Sequence, residues 1–304
     1  MSDYMIDIHD LCKVYKHKMV INHLEMKVKK GDIYGFIGYN GAGKSTTLKM
    51  ICGLVRPTSG TICCFGDEDK AYQYRRIGAL IENAGLYPNL TARENLQLKA
   101  IGMGIHDPLM LTELLSLVGL EDSGKKHISS FSVGMKQRLG IAMALLGNPD
   151  LLILDEPING LDPQGIKDIR LIIERLNKER GMTIIISSHI LGELSKIAST
   201  YGIIKEGKMV EQITSEELNQ KCSDYLEVQV DNPALAITVL EKTMKITNYE
   251  ESDHGTILIY HDEKESGMIS KAFIKADIMV NQMYYHKQDL EQYFLNLMGG
   301  ETHA

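Results

Sequence analysis

Nowhere in its 304 residues does the sequence hold an apolar run long enough to cross a bilayer, which takes about 20 residues as a helix. The strongest runs, Leu151-Leu152-Ile153-Leu154 and Ile184-Ile185-Ile186, are several-fold too short, so any membrane role needs a partner. Positive charge is also scarce. Lys and Arg total 33 against 40 Asp and Glu, a formal charge of −7, which argues against nucleic acid or anionic lipid as the principal partner. The five cysteines, Cys12, Cys52, Cys63, Cys64 and Cys222, are odd in number and lack a paired CxxC spacing. They read as reduced, mostly buried small hydrophobes of a cytoplasmic protein rather than a metal or redox set. Residues 1–12 carry acids and alternating polarity where a secretory signal would have a basic start and a continuous apolar core. There is no internal repeat and no low-complexity segment.

What is present suits a folded protein. With 44% hydrophobic and 24% charged residues the chain can bury a substantial core. Its length admits one α/β domain of roughly 200 to 250 residues plus an appendage, but not two such domains in series. Apolar residues alternate or cluster as short strands over 4–28, and Gly31-Asp32 turns into a buried strand at Ile33-Tyr34-Gly35-Phe36-Ile37. A glycine-rich loop and a helix that Gly53 can end follow. From about 90 to 147 the signals are helical. Thr91 and Glu94 have capping-box spacing, Asp107-Pro108 opens a helix that Gly119 can close, and a third helix begins near Gly134. The runs at 151–154 and 183–187 read as two further buried strands, separated by a helix from Asp162-Pro163 to about Asn177. The fold class is therefore α/β, a parallel sheet with an inserted helical subdomain. Thr214 and Glu217 open a short helix ending near Lys221, and the domain boundary is placed there, at 221/222. Residues 222–304 read strand, helix, two strands around Asp253-His254-Gly255, helix (265–276), strand (278–284) and helix (287–297), which suits a small ferredoxin-like α+β domain.

Three segments carry chemistry. Gly38-Tyr39-Asn40-Gly41-Ala42-Gly43-Lys44-Ser45 fits the P-loop pattern, in which backbone N–H groups converge on phosphate at a helix N-terminus. Lys44 would reach the β- and γ-phosphates, and the Ser45 hydroxyl would ligate Mg²⁺. Asp155-Glu156, ending the run at 151–154, supplies an acid for the metal's oxygen shell and a general base for the attacking water. Ser132 and Gly134 open an apolar helix whose N-terminus is a second candidate phosphate site. His189 follows Thr183-Ile184-Ile185-Ile186-Ser187-Ser188, at the strand end where ligands bind in open parallel sheets, and is expected to contact the γ-phosphate.

With these residues in this order, residues 5–220 resemble the ATP-binding-cassette (ABC) transporter ATPases. The resemblance implies that Tyr15 stacks on adenine and that the loop from Gly38 to Thr46 holds phosphate. It also makes Ser132-Val133-Gly134-Met135 a degenerate signature motif, places Asp162 in the D-loop and makes His189 the switch histidine. It further implies a homodimer that sandwiches two ATP molecules between one subunit's P-loop and the other's signature helix. That dimer would drive separate membrane permease subunits and make no direct contact with cargo.

Two departures from the family pattern stand out. Val133 and Met135 replace Gly and Gln in the signature, while the phosphate-facing Ser132 and Gly134 remain. Glu82 stands where the family usually has a glutamine touching Mg²⁺ and the permease. With Gly85-Leu86-Tyr87-Pro88-Asn89-Leu90-Thr91 following, it resembles the lantibiotic-immunity and bacitracin-resistance branch. A carboxylate cannot donate the amide's hydrogen bonds but binds a cation more strongly. Guanine is disfavoured, because Asn177-Lys178-Glu179-Arg180 lacks the acid of a base-reading motif. There are no long heptad arms of a DNA-repair ATPase and no second cassette of a translation factor. The ATPase subunit of another exporter or importer, for a drug, lipid or solute, or a non-hydrolysing ATP-binding regulatory module remains as the alternative. In the tail, Leu290, Tyr293, Phe294 and Leu297 recur at helical spacing, as core residues do.

Overall fold

A computed structural model describes residues 3–66, 70–222, 224–252, 255–260, 266–286 and 290–298. In chain order the first unit runs β1 (Tyr4–Tyr15), β2 (Lys18–Lys29), β3 (Ile33–Ile37), α1 (Lys44–Ile51), β4 (Ser59–Cys64), α2 (Lys70–Arg75) and β5 (Ile77–Leu80). It continues with α3 (Ala92–Gly102), α4 (Pro108–Leu117), α5 (Val133–Ala144), β6 (Leu151–Asp155), α6 (Pro163–Arg180), β7 (Thr183–Ser188), α7 (Leu191–Leu194), β8 (Thr200–Lys205) and β9 (Lys208–Thr214).

Strands β3, β6 and β7 are buried at every position, because both faces of a central parallel sheet are covered, one of them by α1 and an antiparallel sheet, and an unbroken apolar run can remain dry only there. The sheet order is β5-β6-β7-β3-β8-β9. All pairs are parallel except β8 with β9, so the expected parallel sheet carries one antiparallel edge strand. A second, antiparallel sheet, β2-β1-β4, shares a core with α1, β3 and β6 that includes Ile21, Leu24, Phe36, Leu48 and Ile153. The expected short strands over 4–28 are two 12-residue strands joined by a tight turn.

Between β5 and β6 lie the three helices of the insertion, each with the cap its sequence announces. Thr91 and Glu94 form a reciprocal capping box on α3, Asp107 accepts from Leu109 and Met110 N–H with Pro108 in the first turn of α4, and Ser132 caps α5.

The chain divides into compact units at Ser215/Glu216, six residues before the expected boundary. The reason is α8 (Ser215–Lys221), whose last residue turns toward the tail: Lys221 Nζ donates to Tyr293 Oη at 3.2 Å. The second unit continues with β10 (Tyr225–Val230), α9 (Pro233–Val239), a π-helical turn (Leu240–Met244), β11 (Tyr249–Ser252), β12 (Thr256–Ile259), α10 (Ser266–Lys275), β13 (Val280–His286) and α11 (Leu290–Leu297). Its sheet order, β11-β12-β10-β13, is antiparallel throughout, the split βαβ arrangement of a ferredoxin-like domain. Alternate residues of β10 (Leu226, Val228, Val230) pack with Ile257, Ile259, Ile269 and Phe273. The expected turn residues Asp253 and His254, helix positions 265 and 287–289, and the Leu290 side chain lie outside the described residues. Phe294 is buried, and Tyr293 and Leu297 are half-buried.

Candidate nucleotide site

The order β6-β7-β3 places three chain segments side by side at the C-terminal ends of their strands. Ile37 pairs with Ser188, and Ser187 with Asp155. The glycine-rich loop, the acidic pair and the residues leading to His189 therefore converge, although the loop lies more than 100 residues before the other two in sequence.

The loop leaves β3 and enters α1 through two glycines that no other residue could replace unstrained. Gly43 has φ +114°, and a Cβ there would lie 2.5 Å from Ile21 Cδ1; at Gly38 a Cβ would lie 2.5 Å from the Ile204 carbonyl oxygen. Gly43 offers no side-chain cap to α1, so the first N–H groups of that helix point at the loop without a side-chain acceptor, as an anion site requires. Tyr39, Asn40 and Gly41 are exposed, Ala42 is buried, and Ser45 and Thr46 are half-buried at the helix start. Lys44 is only 5% exposed. Its Nζ donates to Gly38 O at 2.6 Å and Tyr39 O at 3.4 Å, and lies 3.1 Å from Glu156 Oε1.

Glu156 leaves β6 in the left-handed backbone region, φ 50°. That turn aims its carboxylate across the site: Oε2 sits 2.8 Å from His189 Nδ1. Oε1 is shielded from solvent and accepts no hydrogen bond; it faces Lys44 as an ion pair without hydrogen-bond alignment. Asp155 is buried, and its Oδ1 accepts from Ser187 Oγ at 2.5 Å. Lys44, Asp155, Glu156 and His189 thus form one connected group. Ser187 was not singled out by sequence reasoning; its signal is a serine doublet ending an otherwise apolar strand, where a buried hydroxyl must find partners.

The remaining predicted residues take separate places. Ser132 Oγ accepts from Met135 N at 3.2 Å as the cap of α5, and Gly134 faces Leu161 and Gly165, at the start of α6. Asp162 caps α6, its Oδ1 accepting from Gly165 N at 3.0 Å. Tyr15, at the end of β1, is exposed with Lys13 Nζ 4.8 Å from its ring centroid. Glu82 also adopts a left-handed backbone, φ 60°, and its Oε1 accepts from Lys49 Nζ at 2.5 Å. Lys49 lies one turn after Ser45 on α1, so Glu82 is drawn to the helix face that begins at the proposed metal ligand; sequence reasoning did not include Lys49. The one cluster of mixed metal-ligand type among the described residues, Asp10, Cys12 and His23, belongs to the β1–β2 pair instead. There His23 already contacts Asp10 through its ring and donates its N–H to Cys12 Sγ at 3.3 Å.

Among the described residues no helix is long and apolar enough to cross a membrane. The family model described as "ABC transporter" matches residues 21–159. The chain is 46% identical to the bacitracin transport ATP-binding protein BcrA of Bacillus licheniformis, over 98% of each chain. It is 47% identical to the lantibiotic transport ATP-binding protein SrtF of Streptococcus pyogenes, over 68% of this chain and 89% of the relative. Among solved structures, the dimeric post-hydrolysis state of the ATP-binding cassette MJ0796 bound to ADP and Pi superposes with a TM-score of 0.62 at 26% identity, covering 69% of this chain and 99% of that one.

Proposed function

The chain belongs to the ATP-binding proteins of ABC transporters, and from that premise we propose that it hydrolyses ATP to power export of, or immunity to, a peptide antibiotic of the lantibiotic or bacitracin type. The observation that carries the hydrolytic part is the convergence of Lys44, Asp155, Glu156 and His189 on the glycine loop. A desolvated lysine, an uncapped helix N-terminus and a shielded carboxylate oxygen without a hydrogen bond suit a phosphate with its metal ion and attacking water.

Gly38, Tyr39, Asn40, Gly41, Ala42, Gly43, Lys44, Ser45 and Thr46 would cradle the phosphates, and Tyr15 would stack on adenine through the ring face that Lys13 leaves open. Ser45, Asp155 and Glu82 would hold Mg²⁺, whose charge offsets that of the phosphates when bound. Glu156 would take the proton of the attacking water. His189, held through Nδ1 by Glu156, would present its other nitrogen to the γ-phosphate.

Ser132, Gly134 and Asp162 stand on α5 and the α6 cap rather than in this group, which supports a head-to-tail homodimer in which a second copy supplies them. The dimer would sit on the cytoplasmic face of the membrane beneath a separate permease and make no contact with cargo. The peptide-antibiotic reading is supported by the full-length likeness to BcrA and the likeness to SrtF.

The test is growth of a sensitive host expressing this chain with its membrane partner, wild type against Glu156→Gln, across lantibiotics and bacitracin. Protection by the wild type that the variant loses is expected; equal growth on every peptide would contradict the cargo class.

A further inference from the structure

Ser187 is the residue before last of β7, the strand that runs between β6 and β3, and it is fully buried. Its hydroxyl does two things at once: it donates to Asp155 Oδ1 at 2.5 Å and accepts from the Glu156 backbone N–H at 2.8 Å. Glu156, a non-glycine residue in a left-handed conformation, is a strained position that surrounding structure must hold. Its N–H has left the β6 ladder, which ends at Asp155, and finds its acceptor on Ser187. With the hydroxyl fully buried, its removal leaves a donor and a carboxylate oxygen unsatisfied where solvent does not readily replace it. The neighbours have other tasks. Ser188 accepts from Gly38 N through its carbonyl at 3.4 Å and from Ile190 N through its hydroxyl at 2.9 Å, and His189 reaches the far oxygen of Glu156.

We propose that Ser187 is a positioning residue for ATP hydrolysis, its single hydroxyl setting the acid assigned to the metal shell and the backbone of the assigned base in one fixed relation. This rests on the ATPase reading above. The hydroxyl bonds Asp155 and the Glu156 backbone rather than the glycine loop, so its loss disturbs the placement of the reacting groups, for which a misplacement of about 1 Å lowers rate by about 100-fold.

The experiment uses the full chain with Ser187→Thr, Ser187→Cys and Ser187→Ala, reading steady-state phosphate release and, separately, equilibrium binding of a fluorescent ATP analogue. Threonine keeps the hydroxyl and suits a strand; cysteine is close to serine in size with a weaker donor. Turnover is expected to follow donor strength, with Thr within about threefold of wild type, Cys intermediate, and Ala down roughly 10- to 100-fold. The analogue's Kd should move less than threefold in all three. The proposal is overturned if Ser187→Ala retains turnover within twofold, if Kd weakens by the same factor as kcat falls, or if turnover follows side-chain volume instead. Should Ser187→Ala not fold, wild-type turnover in Ser187→Cys overturns it equally. A wild-type chain without any turnover would refute the ATPase reading instead, because the Ser187 comparison is made relative to it.

Discussion

Placing alanine at Gly43 and at Gly41 separates two ways in which the glycine loop is constrained. Both glycines have positive φ, +83° at Gly41 and +114° at Gly43. A Cβ at Gly41 meets nothing within 4 Å, so only the backbone penalty applies, about 1–2 kcal/mol. At Gly43 the Cβ would also lie 2.5 Å from Ile21 Cδ1 and 3.3 Å from Val20 O. Ile21 is fully buried in the core cluster, so displacing its Cδ1 repacks that core, and overpacking adds about 1–3 kcal/mol. Gly43→Ala should therefore destabilise the nucleotide-free chain by about 2–5 kcal/mol, against 1–2 for Gly41→Ala. With about 2–4 °C per kcal/mol for a domain of this size, the thermal midpoint of the cassette should differ by several degrees between the two. Adding Ile21→Val to Gly43→Ala removes the Cδ1 and should recover part of the gap. Equal midpoints for Gly41→Ala and Gly43→Ala, or no recovery with the double variant, would refute the reasoning.

Lys44→Ala should weaken ATP binding roughly 10- to 100-fold, from the 1.5–3 kcal/mol of a charged hydrogen bond, as read by fluorescent nucleotide titration; unchanged affinity would place phosphate elsewhere. Glu82→Gln should leave stability within about 1 kcal/mol, because the Lys49 pair is solvent-exposed, while altering peptide protection or ATPase rate in the presence of the permease. If neither moves, Glu82 has no part in coupling. Burial pushes the Cys52 and Cys64 thiols up to about 12, so at pH 8 only about one in ten thousand is thiolate. Peptide mapping after brief alkylation should show the exposed Cys63 labelled first, and equal labelling of Cys52 or Cys64 would contradict their placement.

How much of this was legible in the sequence follows from where each element sits. Strands β3, β6 and β7 announce themselves because two-sided burial demands unbroken apolar runs, and the proposed catalytic residues lie at or just beyond their ends. The capped helices of the insertion were readable for the same local reason. Strands β4, β5, β8 and β9 were not read. β5 has four residues, β4 exposes four of its six and β9 fully buries only one of its seven, so their conformation comes from the strands they pair with rather than from a pattern of their own. Within the site, Lys44, Asp155, Glu156 and His189 were named from sequence, but the bridge through Ser187 and the Lys49–Glu82 pair are side-chain meetings across about 30 residues that no local pattern encodes. The tail's ferredoxin-like order was legible in segments such as β10, where Leu226, Val228 and Val230 alternate, even though the unit begins six residues earlier, at one short helix.

The central claim is that Glu156 is the base of a hydrolytic site and not merely an ion-pair partner of Lys44 and His189. Phosphate release by the purified chain, wild type against Glu156→Gln, with nucleotide affinity measured alongside, tests it most directly. Turnover should fall roughly 100- to 10,000-fold, the contribution of general base catalysis, with ATP affinity retained because the loop, Lys44 and Ser45 are untouched. Turnover in the variant within tenfold of wild type would contradict it.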